Sequence, residues 1–375
     1  MDVSLMSLFT WKACLAPLLG TGMNFHVSFP GMGIEDLEVH RVAFTLKLFG
    51  KEFPIFWYGI IIASAFLLCM FLASKEAYRY GLASETILDV MVWIIPLSIV
   101  GARLYYVAFA WDDFRDDLSR IFSTRHGGLA FYGGVLAAVL TFIIFARLHH
   151  VPLANLADFT IVYLPLGQAI GRWGNFMNQE AFGVNTRAPW GMISEGTTAY
   201  LQSFPNSLDP YAPVHPTFLY ESLGNLLIFF LLLRLRKYSQ KKWSVVAAYS
   251  FLYGLLRFYV EGLRTDALMI GNTNLRVSQV LSLVMILGGA GVLLYYILNS
   301  SSNRFNRVNL ANPPKEPWVP LAKVKSVDVP KPEDEAKPLD EAKSQDKAES
   351  LAEVNSEDEP KSQQNAKSKA QAERS

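Results

Sequence analysis

Arg172, Asn175, Asn178, Gln179 and Glu180 crowd into AIGRWGNFMNQEAFG (169–183), at the end of an apolar run. A second stretch, YGLLRFYVEGLR (253–264), sets Tyr253, Arg257, Glu261 and Arg264 within a sector of about 80° if it is helical. Arg257 and Glu261 are four residues apart, so one reading is an ion pair that staples helices together. The other follows from counting charges. Arg103, Arg172, Arg257 and Arg264 outnumber the carboxylates Glu180, Glu221 and Glu261. Surplus guanidinium groups suit an anionic ligand, most simply a lipid phosphate, whose oxygens match their forked donors. Gly127, Gly128, Gly133, Gly134, Gly171, Gly174 and Gly183 flank these groups. They let helices approach closely, or let backbone N–H groups reach a ligand.

The chain carrying these residues reads as a membrane protein. It is 51% hydrophobic and 13% aromatic with a mean hydropathy of +0.22, too apolar for a soluble domain once its polar tail is discounted. A net charge of +1 gives no electrostatic footprint for nucleic acid. Cys14 and Cys69 lack neighbours at metal-ligand or disulfide spacing. No H-E-x-x-H, G-x-S-x-G or Walker loop occurs, which removes zinc proteases, serine hydrolases and P-loop enzymes. No metal or cofactor is expected.

A helix needs about 20 apolar residues to cross the hydrocarbon. Such runs lie near 55–74, 87–110, 128–146, 157–172, 217–235, 244–263 and 277–298, giving an all-α fold of seven spans. Residues 1–54 form an N-terminal extracytoplasmic segment, 55–299 the membrane domain with a loop region at 173–216, and 300–375 a disordered charged tail. The first twenty residues have Asp2 where a signal peptide would be basic, and read instead as an amphipathic segment on the membrane or the body. RLRKYSQKKW (234–243) is the densest basic loop, which puts it and the C-terminus in the cytoplasm and the N-terminus outside. Arg41, Lys47 and Lys51 then lie outside, against the usual bias. In this topology Tyr58, Arg103, HGGLAFYGG (126–134), Arg172, HPTFLYE (215–221) and the 253–264 stretch all fall towards the outer leaflet. Intramembrane ionisable groups that converge in this way mark a functional site.

GRWGNFMNQEAFG resembles the signature of the bacterial prolipoprotein diacylglyceryl transferases, G-R-x-G-N-F-x-N-x-E-x-x-G. FWYG (56–59), GARLYYV (101–107), HPTFLYE and YGLLRFYVEGLRTD are similar to further motifs of that family, in order, over residues 45 to 298. The resemblance implies a multi-pass plasma-membrane enzyme, N-out and C-in, with its active site facing the outer leaflet. It would transfer the diacylglyceryl group of phosphatidylglycerol to the lipobox cysteine of prolipoprotein signal peptides, releasing glycerol-1-phosphate. It further implies that Arg172 and Arg257 hold the lipid phosphate, with Arg264 as a gate or second contact. Asn175, Asn178, Glu180 and Gly183 would shape the headgroup pocket, lined by Tyr58 and Tyr253, with Arg103, Gly133, His215 and Glu261 completing the site.

The family often has F-H-G-G where this chain has Phe131, Tyr132, Gly133 and Gly134. A cysteine thiol with a pKa of about 8.5 is mostly protonated at neutral pH and benefits from activation. Three routes remain open. Tyr132 hydrogen-bonds the lipid, His126 takes the proton, or the arginine field lowers the thiol pKa. The rival reading from another class is a transporter or non-catalytic anionic-lipid-binding protein, which would place polar groups at mid-membrane and at both faces.

Overall fold

The structure, a computed structural model, describes residues 24–122, 127–203, 208–239, 241–270, 273 and 275–299. The expected N-terminal amphipathic segment, His126 and the expected disordered tail lie outside the described residues. Nine helices are named in chain order: α1 (Trp57–Ala77), α2 (Ser84–Phe109), α3 (Phe131–Leu148), α4 (Leu153–Thr160), α5 (Tyr163–Asn178), α6 (Glu195–Ser203), α7 (Thr217–Tyr238), α8 (Ser244–Leu263) and α9 (Val277–Leu298). Packing runs α3–α2–α1–α5–α7–α8–α9, so α5, α7 and α8 lie inside the series.

Among the described residues, six helical stretches are long and apolar enough to cross a membrane: Trp57–Tyr80, Ser84–Phe109, Phe131–Leu148, Leu153–Asn178, Thr217–Tyr238 and Val277–Leu298. The protein is therefore a mostly helical membrane protein. The fourth stretch is two helices, α4 and α5. Pro165 has no N–H to donate back to the carbonyl of Ile161, and the chain turns there. Large apolar side chains on the outer faces of α2, α3 and α9, such as Val92, Leu136 and Leu287, are exposed as lipid contact requires.

The expected all-α fold needs correction. Strands β1 (Asn24–Phe29), β2 (Ile34–His40) and β5 (Ile193–Ser194) form an antiparallel sheet in the order β2-β1-β5, and β3 (Val42–Leu48) pairs with β4 (Lys51–Phe56). The cause is local. Residues alternate apolar and polar through Phe44–Thr45–Leu46–Lys47–Leu48, and Phe49 and Gly50 both take positive φ (51° and 72°), the conformation of a two-residue hairpin turn. Val27 and Val39 of the first hairpin bury against Phe176, Phe182, Met192, Leu201, Val214 and Phe218, where α5 ends and α7 begins.

The expectation that polarity gathers at one end also needs correction. Arg236, counted from the sequence as a loop cation, is the largest fully buried side chain, on α7. It pairs with Glu76 of α1, donates to the carbonyl of Phe159 (3.2 Å) and to Tyr163 Oη (3.4 Å), and lies over the rings of Tyr80, Phe159 and Tyr163. Nearby, Asp158 of α4 accepts from the N–H groups of Val245 and Val246, both at 3.0 Å, and caps α8, which has no cap of its own. These contacts tie α1, α4, α5, α7 and α8 together at the end opposite AIGRWGNFMNQEAFG. Arg236→Met is expected to lower stability by about 2–3 kcal/mol, below the range for a fully buried pair because water reaches Glu76. Thermal unfolding in detergent measures this, and adding Glu76→Gln to Arg236→Met is expected to restore part of the loss.

Candidate functional site

The polar stretch at the end of α5 is held by its own backbone. Gln179 takes a left-handed conformation (φ 55°), its N–H closes on the carbonyl of Phe176 at 3.0 Å, and the N–H of Glu180 closes on Asn175 at 3.1 Å. The chain then runs beside the end of α8. Gly183 donates to the carbonyl of His215 (2.9 Å), Val184 to Leu263 (2.8 Å), and Thr265 to Phe182 (3.3 Å). A Cβ at Gly183 would stand 2.8 Å from the Cβ of His215 and 3.0 Å from the carbonyl oxygen of Leu263, so only glycine permits this seam. It brings Arg172, at the end of α5, beside Arg257, Glu261 and Arg264 of α8.

Glu221, from the first turns of α7, is the centre of the arrangement. It pairs with Arg172 of α5, with Arg257 of α8 at 3.0 Å, and with Arg264 at 3.8 Å. Arg257 also pairs with Glu261 at 2.5 Å. Arg264 grips Asp266 through Nε (2.9 Å) and Nη2 (2.6 Å), and Arg276 caps the carbonyls of Glu261 and Arg264. Tyr253 hydrogen-bonds Arg172 within the field of Glu221 and Arg257. Tyr58 packs on Gly174, with Glu180 and Arg172 near its hydroxyl. Asn175 and Asn178 both donate to Glu180, at 2.8 and 3.5 Å, and fix its carboxylate.

Burial orders this cluster. The side chains of Glu221 and Glu261 are 1% and 2% exposed, while Arg172, Arg257 and Arg264 are 19%, 16% and 13% exposed. Glu221 and Glu261 stand behind and the guanidinium groups of Arg172 and Arg257 in front, so this pair of arginines presents a cationic face, while at the rim Asp266, 25% exposed, is more exposed than Arg264. Carboxylates that orient arginines from behind leave N–H donors for an anion, and each arginine is preorganised at no cost when the anion arrives. Beyond α8, burial works against the charge of Asp266, but the hydrogen bonds from Arg264 together with the positive charges of Arg264 and Arg257 outweigh this and hold its carboxyl below the usual carboxylate range. Burial pushes the His215 imidazole below its usual pKa. Its Nδ1 lies 2.9 Å from Tyr220 Oη, which accepts from Trp190 Nε1 at 2.7 Å.

The structure thus brings together Tyr58, Arg172, Asn175, Asn178, Glu180, Gly183, His215, Tyr253, Arg257, Glu261 and Arg264. Two of the expected site residues lie on the α2–α3 pair, apart from these contacts. Arg103 turns its guanidinium onto the carbonyls of Arg120 (2.7 Å), Ile121 (2.7 Å) and Gly128 (2.8 Å) and lies over Tyr106 and Phe114. Gly133 lies at a close approach of α3 to α2, where a Cβ would stand 2.6 Å from the carbonyl oxygen of Gly101. The surplus of arginines read from the sequence therefore disappears, because Arg172, Arg257, Arg264 and Arg276 are matched by Glu180, Glu221, Glu261 and Asp266. Tyr132, on the first turn of α3, has its ring edge-on to Phe131, and α3 packs chiefly on α2 rather than on the helices of the cluster. Asp266 and Arg276 are the members that sequence reasoning left out, and Glu221, counted there among the carboxylates, was given no role in the site. Glu221 and Asp266 lie inside the motifs HPTFLYE and YGLLRFYVEGLRTD.

Comparison with known proteins bears on this geometry. The family model described as prolipoprotein diacylglyceryl transferase matches residues 43–295. The chain is 44% identical over 258 residues to the phosphatidylglycerol–prolipoprotein diacylglyceryl transferase of Finegoldia magna, covering 68% of this chain and 95% of that relative. It is 40% identical over 266 residues to the protein of that name from Clostridioides difficile, covering 71% and 98%. Against the Enterococcus faecalis protein of that name it is 41% identical over 272 residues, covering 72% and 95%. Strands β1 and β2 precede the matched stretch, whereas α1 to α8 lie wholly within it.

Proposed function

The chain belongs to the prolipoprotein diacylglyceryl transferase family, and from this premise we propose how its arginine cluster carries out that family's reaction. The enzyme transfers the diacylglyceryl group of phosphatidylglycerol to the lipobox cysteine of a prolipoprotein, the step that begins lipoprotein maturation. The cysteine sulfur attacks the glyceryl carbon that bears the phosphate ester. A C–S bond forms, the C–O bond breaks, and glycerol-1-phosphate departs with the bonding electrons while the thiol proton is released.

Arg172 and Arg257 hold the phosphate and take the charge that develops on it. The observation carrying this reading is the layering of buried Glu221 and Glu261 behind more exposed guanidinium groups. Arg264, tied to Asp266, forms the rim as a gate or second contact. Asn175, Asn178 and Glu180 offer both donors and acceptors to the glycerol hydroxyls, and Tyr58 and Tyr253 line the headgroup. Gly183 and His215 form the seam that keeps α5 and α8 together, and Arg103 and Gly133 support the site through the α2–α3 pair.

The proposed topology has seven spans. The seventh is α8, whose 20 residues reach about 30 Å and which lies between two apolar helices. Its hydropathy is lowered by the cluster it carries. With the basic loop after α7 in the cytoplasm, the cluster falls in the outer leaflet, where a secreted cysteine meets the lipid. A transporter needs a passage at the other end as well. There the Arg236 guanidinium is buried against the rings of Tyr80, Phe159 and Tyr163, which favours a sealed end.

For the thiol, the field of the arginines lowers its pKa and Tyr132 contributes a hydrogen bond to the lipid. Tyr132→Phe is then expected to slow transfer about fivefold, the worth of one neutral hydrogen bond. Steady-state kinetics decide this. Unchanged activity removes the hydroxyl from the reaction, and a loss of a thousandfold would make Tyr132 the proton acceptor. The activity itself is tested by incubating the purified protein with phosphatidylglycerol and a lipobox peptide and weighing the peptide. A gain of one diacylglyceryl mass on the cysteine is expected, and no gain refutes the reading.

A further inference from the structure

The β3–β4 hairpin exposes more apolar surface than a water-facing hairpin can hold. Its cross-strand pairs Phe44↔Ile55 and Leu46↔Phe53 put these four side chains on one face with Leu48, whose partner Lys51 stands on the same face beside the turn, while Thr45, Pro54, Lys47 and Glu52 lie on the other. Phe44, Leu46, Leu48 and Phe53 are all exposed, and Phe49 at the tip is 101% exposed. An isolated two-stranded hairpin is at best marginally stable in water and needs a surface on which to lay its apolar face. The turn adds a second, independent sign. Both its residues require positive φ, for which Asn-Gly or Asp-Gly is favoured. Here Phe49 fills the first place at φ 51°, a strained conformation for a bulky side chain, and among the described residues its side chain is fully exposed.

We propose that this hairpin lies in the membrane interface, with the Phe49 tip and the Phe44–Leu46–Leu48 face among the acyl chains of an anionic leaflet. Two observations commit the occupant to lipid. The hairpin is continuous with a membrane span: β4 ends at Phe56, α1 begins at Trp57, and the N–H of Trp57 bonds the carbonyl of Arg41 at 3.1 Å. Its base therefore sits where the span leaves the hydrocarbon, with Trp57 at the boundary that tryptophan favours. The charge also fits. Arg41, Lys47 and Lys51 face one carboxylate, Glu52, so the hairpin is cationic and is drawn to phosphate headgroups. Cations that run against the usual sidedness bias thus acquire a partner, the lipid class that the enzyme consumes. That this leaflet is the outer one rests on the topology proposed above.

The test uses the full chain in nanodiscs of phosphatidylglycerol and phosphatidylcholine, with Cys14→Ala and Cys69→Ala as background and a single spin label at Phe49→Cys or Thr45→Cys. The ratio of oxygen to nickel-chelate accessibility is expected to be about tenfold higher at position 49 than at position 45, as for a residue among acyl chains against one facing water. Equal ratios would overturn the proposal. Reaction of Lys47→Cys with a membrane-impermeant maleimide on intact cells reports the side separately. Labelling only after permeabilisation would overturn the topology and leave the depth measurement to decide the immersion.

Discussion

Arg257→Ala is expected to abolish transfer, with a loss of about 10²–10³-fold or more in turnover, while the protein still inserts and folds. The magnitude follows from what the guanidinium does. It lies at the front of the cluster, paired to Glu221 at 3.0 Å and Glu261 at 2.5 Å, so its orientation is set before the lipid arrives. A preoriented cation facing a departing phosphate acts most strongly in the transition state, so turnover is expected to fall more than lipid affinity. Arg257→Lys keeps the charge but cannot fork between two carboxylates and a phosphate, and is expected to recover only a small part of the rate. Single-turnover kinetics with a lipobox peptide separate the two effects. Undiminished turnover in Arg257→Ala would remove this residue from the site.

Glu221→Ala is expected to be the most destabilising substitution in the cluster, at about 3–5 kcal/mol. Glu221 is the shared partner of Arg172 and Arg257 and lies within 3.8 Å of Arg264. Its removal leaves like charges facing one another with little water to screen them. Glu221→Gln keeps the shape and the acceptor oxygen, and is expected to lose less. The loss is expected to depend on lipid. In nanodiscs rich in phosphatidylglycerol a bound phosphate replaces part of the missing anion, and the melting temperature of Glu221→Ala is expected to rise towards wild type. In neutral detergent it is not. A loss that is equal in both settings would mean that no phosphate reaches these arginines.

The helices were legible in the sequence because lipid imposes a simple requirement. Each apolar run read from the sequence is helical, the fourth as two helices, and Ser244–Leu263 is among them although it carries Arg257 and Glu261. The strands were not read. In Phe44–Thr45–Leu46–Lys47–Leu48 the alternation is present, but beside a membrane span its apolar members merge with the span's own signal. The site was legible as a set of residue types and not as a set of partners. Glu221 lies 49 residues from Arg172 and 36 from Arg257, and no local spacing announces that it joins them. Arg103 and Arg236 show the converse. Nothing in the sequence distinguishes an arginine that serves a site from one consumed by backbone carbonyls or wrapped in aromatic rings, because the difference depends on which helices touch.

The claim that α5 and α8 present one cationic face to a lipid phosphate is tested most directly by the structure of the protein in a nanodisc of phosphatidylglycerol. The account predicts a phosphate in hydrogen-bond contact with the guanidinium groups of both Arg172 and Arg257, with Glu221 still behind them. A phosphatidylglycerol headgroup bound elsewhere, with both arginines engaged only by Glu221 and Glu261, would contradict it.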